Sequence, residues 1–327
     1  MPHKKISFVI AARNDDYGGN FANRMRTSIR VLAELANRYS ASFELIIVEY
    51  APPDDKPPIA TLVSDVSHEA LPIRIITVPT SFHQQVAKGS KNPFLEYVAK
   101  NIGIRRARGE FIVAMNPDII FSASMVQFLT QNALDARTVY RANRSDISLR
   151  SIDETISVTD VLTLCQAHIT RTWTPHGQIY TSWSRWGIRL RNHLSPLSIL
   201  KNILLAPIFN QIRTSRAITK PHDAAAGDFV MAHQDAWAKV RGYDQEPINS
   251  YTDGYNLHMF YVYGYKQYVL QEPMYHINHT ASNSKTFQMP FQQYQNNTRR
   301  MLNTKKPYKL YDEHWGFPKE QFLEQTL

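Results

Sequence analysis

The chain has 327 residues, 43% of them hydrophobic and 20% charged, a globular composition that excludes a disordered chain. One cysteine, Cys165, excludes an internal disulfide framework and fits a reducing compartment. The net charge of +9 favours anionic partners, whether nucleotide diphosphates, nucleic acid or anionic lipid, and does not choose among them.

Ile6 to Ala12 is a short apolar run with β-branched members and predicts a buried first strand, followed by the polar turn Arg13-Asn14-Asp15-Asp16-Tyr17-Gly18-Gly19. Met25, Ile29, Leu32, Leu35 and Ala36 recur at helical spacing and predict a helix from about Asn23 to Tyr39. A second strand runs from Phe43 to Glu49, after which Pro52, Pro53, Pro57 and Pro58 stiffen a loop. Ile73 to Val78 predicts a third strand, closed by Pro79. Pro93 to Ala107 predicts a helix with proline near its first turn and Gly109 past its end. Phe111 to Met115 is the fourth strand, and Asn116-Pro117-Asp118 then delivers a carboxylate at its C-terminal edge.

Strands alternating with helices predict an α/β fold with a mainly parallel sheet flanked by helices. Ligands of such sheets bind at the C-terminal edge of the strands. A carboxylate placed there suits a hard divalent cation held against phosphate oxygens. The plainer reading is that Asp118 only turns the chain, since Asn, Pro and Asp are all turn formers. No G-x-G-x-x-G follows the first strand and no G-x-x-x-x-G-K-[ST] occurs, which disfavours a standard dinucleotide site and a P-loop.

After a strand-like segment, Arg141 and Arg144 stand three apart beside Asp146, and arginine clamps phosphate bidentately, so both are candidate phosphate contacts. From Val161 to His222 there is no Asp or Glu, while Arg171, Arg185, Arg189, Arg191, Lys201, Arg213, Arg216 and Lys220 accumulate beside Trp173, Trp183 and Trp186. Leu197, Leu200, Ile203, Leu204, Ile208 and Ile212 recur at roughly helical spacing, so the segment reads as a helical basic insertion. It is either a solvated basic face or a surface that docks on anionic lipid headgroups. Beyond Asp223 the composition is ordinary again, with a strand opening at Gly227-Asp228-Phe229, a helix over Gln234 to Val240, a second helix after Asp253 and a last strand over Gln267 to Leu270. The expected division is 1–150, the insertion 151–222 and 223–327. No apolar leader precedes the first strand and no run of about 18 apolar residues occurs, so a cytoplasmic chain is expected, free or peripheral at the inner face of a membrane. The basic segment contains no recognised nucleic-acid motif, and nucleic acid is not an expected partner.

Several segments together carry a resemblance: Ala11-Ala12-Arg13-Asn14-Asp15, Val48-Glu49, the block Ala99-Lys100-Asn101-Ile102-Gly103-Ile104-Arg105-Arg106-Ala107-Arg108-Gly109-Glu110, Asn116-Pro117-Asp118, Gly227-Asp228-Phe229, Val240-Arg241-Gly242-Tyr243-Asp244 and Thr252-Asp253-Gly254. In this order they resemble a GT-A-fold nucleotide-sugar glycosyltransferase of the family 2-like group, over about residues 5–150 and 223–280. The Asn-Pro-Asp-Ile-Ile-Phe-Ser and Tyr-His-Ile-x-His segments are similar to those of a bacterial subset of that group. The resemblance implies a GT-A, Rossmann-like sheet and transfer of a sugar from a nucleotide diphosphate donor, most often a UDP-sugar, to a hydroxyl of a glycan or lipid-linked glycan. It implies Asp118 as ligand of Mn²⁺ or Mg²⁺, with His276 and His279 returning from the far end of the chain as further ligands. On an extended segment those two histidines face opposite sides, so both reach one site only across a bend. It implies Asp15 and Glu49 as nucleobase or ribose contacts, with Arg13, Asn101 and Asn116 also on the donor. It implies residues 1–150 as the nucleotide-sugar-binding half and 223–327 as the acceptor side. Asp253 is the implied general base of an inverting transfer and Asp228 the rival base, with a retaining transfer, which also keeps a carboxylate in this region, as the other outcome. The sequence departs from the family where Asn116 replaces the first carboxylate of Asp-x-Asp and Thr252 replaces the acidic residue before Asp253. A nucleotidyltransferase and a non-catalytic module on the same fold are the alternatives.

Overall fold

The computed structural model describes residues 5–66, 69–175, 177–181, 221–248, 250–280 and 290–327. In chain order the elements are β1 (Ile6–Ala12), α1 (Phe21–Arg38), β2 (Phe43–Tyr50), α2 (Ile59–Val63), β3 (Ile73–Val78), α3 (Thr80–Val86), α4 (Glu96–Arg106), β4 (Phe111–Met115), β5 (Ile119–Phe121), α5 (Ala123–Gln131), β6 (Thr138–Ile147), α6 (Val158–Ala167), β7 (Ile169–Thr174), β8 (Gly177–Tyr180), β9 (Phe229–His233), α7 (Gln234–Val240), α8 (Thr252–Val262), β10 (Lys266–His276), α9 (Phe291–Thr304) and β11 (Leu323–Thr326). The strands form a single sheet in the order β11-β3-β2-β1-β4-β9-β6-β10-β5, with the hairpin β7–β8 attached to β6.

The expected α/β architecture is present. The central strands β3, β2, β1 and β4 are parallel to one another, and β6 is parallel to β10. Antiparallel β9 stitches β4 to β6, so the sheet is mixed beyond its parallel centre. Each residue of β1 and β2 is buried, and the burial sorts by alternation. Phe8, Ile10, Leu45 and Ile47 enter the core beneath α1, α5 and α6, whereas Val9, Ala11, Ile46 and Val48 enter the core beneath α4, α7 and α8. Successive strand side chains point to opposite faces, so a run that is apolar throughout must be covered by helices on both sides. Gly103 lets α4 lie directly on the sheet, since a Cβ there would meet Val9 Cγ1 at 2.5 Å.

The segment read as a helical insertion is not helical throughout. Its described part holds α6 followed by β7–β8, which extend the sheet from β6 in antiparallel register, Asp146 opposite Arg171. Trp183, Trp186 and the apolar repeat from Leu197 to Ile212 lie outside the described residues, and with them the membrane-docking expectation. Among the described residues no helix is long and apolar enough to cross a membrane.

Candidate active site

A cavity of about 770 Å³ opens where β1 and β4 end, the edge at which open α/β sheets bind ligands. Its floor is Asn116-Pro117-Asp118, the tight link between β4 and β5. β5 pairs antiparallel with the end of β10, placing His276 opposite Ile119, and β10 pairs parallel with β6, placing His276 beside Asp146. The strand then stops, the Ile277 amide donates to the Asp118 carbonyl, and His279 turns back across the break. The bend that two histidines three apart require is this strand end.

Asp118 Oδ2 is the focus of the floor. It lies 3.3 Å from His279 Nε2, 3.8 Å from His276 Nε2 and 3.7 Å from an Arg24 guanidinium nitrogen. One ligand atom from each of Asp118, His276 and His279 lies within 4.8 Å of the others, close enough to hold a metal ion. A carboxylate with two imidazoles fits Mn²⁺ better than Mg²⁺, which prefers an all-oxygen shell. Behind His276, Asp146 Oδ1 stands 3.5 Å from Nδ1, the outer carboxylate that fixes the ring of a ligating histidine. Burial works against a charge on His276, but Asp146, Asp118 and Asp228 outweigh it and hold its pKa above the usual histidine value. Burial lowers that of His279.

The loop after β1 builds the other wall. Gly18 adopts φ +73°, and a Cβ there would meet His279 Nδ1 at 2.7 Å. The Tyr17 ring lies edge-on to His279 at 5.3 Å, and Thr280 donates to the Gly18 carbonyl. Both the backbone conformation and the close approach call for glycine. Gly18→Ala is expected to displace His279 and weaken Mn²⁺ binding about 10–100-fold, the usual result of disturbing the support of a metal ligand. Isothermal titration with Mn²⁺ checks this, and unchanged affinity would detach His279 from the cluster.

A second set of charges lies along the wall toward β6 and the 3₁₀ turn Ala226–Asp228. Arg144 donates to Asp228 Oδ2 at 2.7 Å and pairs with Asp146 Oδ1 at 2.8 Å. Asp146 also accepts from Arg171 Nε at 2.7 Å and from Trp173 Nε1 at 2.9 Å. Asn116 Nδ2 donates to Asp228 Oδ1 at 2.8 Å, while its Oδ1 accepts from Lys100 Nζ at 2.8 Å. Lys100 is fully buried and also donates to Glu96 at 2.6 Å and to the Gly227 carbonyl at 2.9 Å. Asp228 therefore accounts for the departure at position 116. The amide accepts from the lysine through oxygen and donates to Asp228 through nitrogen, and a carboxylate has no proton for the second bond.

The structure brings Arg13, Asp15, Asn116 and Asp118 to this cavity, and with them Arg144, Asp228, His276 and His279. Arg13 and Asp15 pair with each other at 2.7 Å, and Arg13 also donates to the Ala51 carbonyl. Four expected site residues stand elsewhere. Glu49 is buried and accepts from the Ile59 amide at 2.8 Å and Thr77 Oγ1 at 3.2 Å, so it anchors α2 and β3 instead of lining the cavity. Asn101 exchanges hydrogen bonds with both backbone groups of Tyr243 and ties α4 to the loop after α7. Arg141 is fully buried, donates to the His222 and Ala224 carbonyls, and is pulled down to about 10 by burial. Asp253 stands behind the cavity wall in the first turn of α8, where its Oδ2 accepts from the Gly227 amide at 2.7 Å. Burial pushes its pKa up to about 6. Asp228, in the wall itself, is shifted the other way: burial alone would raise it, but Arg144, His276 and Lys100 hold it below the usual carboxylate range.

Arg24, Lys100 and Asp146 had no role in the sequence reading. Lys100 and Glu96 had a legible signal, an acid and a base four apart on a helix buried on nearly every face. Arg24 had none, since a basic residue in an amphipathic helix reads as solvated.

No protein-family model matches the chain, and no curated protein matches it. Among the solved structures similar in fold at low identity are three glycosyltransferases. A mannosyltransferase from Pyrobaculum calidifontis, in complex with GDP-Man and Mn²⁺, is 11% identical over 97% of this chain and 68% of its own, with a TM-score of 0.43. S. aureus TarS 1–349, in complex with UDP-GlcNAc, is 10% identical over 95% and 69%, with a TM-score of 0.48. The catalytic domain of Drosophila β1,4-galactosyltransferase 7, in complex with xylobiose, is 7% identical over 90% and 79%, with a TM-score of 0.42. At these TM-scores the similarities carry no part of the functional reading.

Proposed function

We propose that the chain is a glycosyltransferase that moves a sugar from a nucleoside diphosphate donor, a UDP-sugar first among them, to a hydroxyl of a glycan or lipid-linked glycan. The observation that carries this is the Asp118–His276–His279 cluster at the floor of a roughly 770 Å³ cavity whose walls include Arg24 and Arg144. The volume suits a nucleotide-sized ligand, and the motif order that resembles the family 2-like group supplies the class of donor.

In this reading Asp118, His276 and His279 hold Mn²⁺ in preference to Mg²⁺. The bound cation supplies Lewis-acid stabilisation of the departing diphosphate. Arg13 and Asp15, at the end of β1, contact the nucleoside. The guanidinium groups of Arg24 and Arg144 face the diphosphate, where charge-assisted hydrogen bonds are strong. The acceptor oxygen attacks the anomeric carbon with inversion, the bond from that carbon to the diphosphate oxygen breaks, and the acceptor proton passes to a carboxylate, for which Asp253 is assigned, reached through one water because it stands behind the wall at the Gly227 turn. Asp228 is the weaker base, since Arg144, His276 and Lys100 hold its carboxyl below the usual carboxylate range whereas burial raises that of Asp253. With its carboxylate committed in this way, Asp228 positions Arg144 and the 3₁₀ turn.

Thermal melting against UDP-, GDP-, CMP- and TDP-sugars, each with and without Mn²⁺, tests the reading. One nucleotide series is expected to raise the melting temperature by roughly 3–6 °C at saturating ligand, and only with the cation present. If no nucleotide stabilises the fold in either condition, the transferase assignment fails and the non-catalytic alternative stands.

A further inference from the structure

Arg24 is the most unusual group in the cavity. It projects from α1 with its side chain 1% exposed, and only one of its nitrogens has a hydrogen-bond acceptor, the Tyr17 carbonyl. Nε and the nitrogen facing Asp118 have none. Buried donors without partners are rare and call for an explanation. Its nearest carboxylate oxygen is Asp118 Oδ2 at 3.7 Å, the same oxygen that His276 and His279 surround. A cation seated on that oxygen would therefore meet a buried guanidinium across a short gap. Asp118 and Arg24 already cancel in formal charge, and the two histidines add none when they act as ligands. A divalent ion entering alone finds the one carboxylate of its ligand set already matched by a guanidinium. A diphosphate brings further negative charge and offers oxygens to the two unpartnered donors.

We propose that Arg24 is an electrostatic interlock: it occupies the field of Asp118 in the free protein, penalises a cation that arrives alone, and so makes Mn²⁺ and the nucleoside diphosphate bind as a pair. This rests on the cavity being a nucleoside diphosphate site. The device would keep the ion from being held without a donor. By linkage, each ligand raises the affinity of the other by the same factor.

The decisive measurement is Mn²⁺ affinity in the absence of nucleotide, read from the free-ion signal by electron paramagnetic resonance, with UDP as the second ligand. Arg24→Met is expected to bind Mn²⁺ alone about tenfold more tightly than wild type, within the usual range of coupling between sites, and to show a smaller gain in Mn²⁺ affinity on adding UDP. Arg24→Lys keeps the charge and is expected to behave like wild type. Arg24→Gln drops the charge but keeps a donor for the Tyr17 carbonyl, and it is expected to follow Arg24→Met even if the latter folds poorly. A merely structural role predicts the opposite sign, since losing the brace on Asp118 would weaken Mn²⁺ binding. Folded Arg24→Gln or Arg24→Met with unchanged or weaker Mn²⁺ affinity overturns the interlock alone. Wild-type protein that binds neither Mn²⁺ nor UDP, separately or together, overturns the reading of the cavity and the interlock with it.

Discussion

Asp118→Ala is expected to lower sugar transfer by at least about 10³-fold and to abolish measurable Mn²⁺ binding, because a cation at a departing phosphate is worth several kcal/mol of transition-state charge stabilisation. The geometry makes this residue the least replaceable of the cluster. Both histidines and Arg24 converge on a single Asp118 oxygen. Asp118 is also the sole carboxylate among the grouped ligands. The side chain at the other end of the motif cannot substitute, because Asn116 is held by Lys100 on one side and Asp228 on the other. Two imidazoles would remain, with an unpaired guanidinium beside them, and that combination repels a divalent ion. Asp118→Asn is expected to retain the fold better, since the amide preserves volume, yet to lose Mn²⁺ binding almost as fully. Isothermal titration with Mn²⁺, alongside single-turnover transfer, separates binding from chemistry. Turnover in Asp118→Ala within a few-fold of wild type would remove the cation from the mechanism.

The elements that carry long apolar or strongly periodic runs were legible before any coordinates. β1, β3, β4 and α7 have the expected bounds, since apolar strands between turn formers leave little latitude. α4 starts at Glu96 instead of Pro93, because Asn92 Oδ1 accepts from the Phe94 amide and holds the residues around Pro93 in a turn. β10 extends past Leu270 to His276 despite Pro273, through a register shift between Leu270 and Met274. β11, Leu-Glu-Gln-Thr, is an exposed edge strand with one apolar residue and no alternation to read. The grouping of residues at the cavity was legible where chain order alone places them at strand ends, as with Asp118 just past β4 and His276 at the end of β10. It was not legible where a polar group at a strand or helix end had two competing partners. Glu49 closes a strand as a donor contact would, but the neighbouring Ile59 amide claims it. Arg141 and Arg144 are both candidates from sequence, though residues three apart on one strand face opposite sides. Position 141 faces carbonyls in the interior and position 144 faces the cavity, a difference of orientation that strand pairing decides.

The same limit applies to the general base, and Asp253→Asn is the variant that resolves it. Wild-type transfer is expected to rise with pH through an apparent pKa near 6, because burial holds the Asp253 carboxyl protonated until about 6 and only its ionised form accepts the acceptor proton. Asp253→Asn is expected to lose about 10²–10⁴-fold in rate and, at saturating Mn²⁺, which keeps His276 deprotonated, to lose this acid limb. If Asp228 were the base, the limb would fall well below the ordinary carboxylate range, since Arg144, His276 and Lys100 keep that group ionised against its burial. A wild-type profile flat from pH 5 to 7 therefore sinks the assignment of Asp253. Stability supplies an independent sign. The folded pKa of about 6 exceeds the ordinary 3.8, so the stabilisation from the protonated form is complete below 3.8 and lost as pH rises through 6. Relative to Asn, the ionised group then costs up to about 3 kcal/mol at pH 7.5. Asp253→Asn is accordingly expected to melt higher than wild type at pH 7.5 and to lose that advantage at pH 4. A carboxylate kept merely to brace the Gly227 amide would give the reverse, a variant less stable at neutral pH. Gain of stability with loss of transfer is the pattern of a group retained at a structural cost for its chemistry.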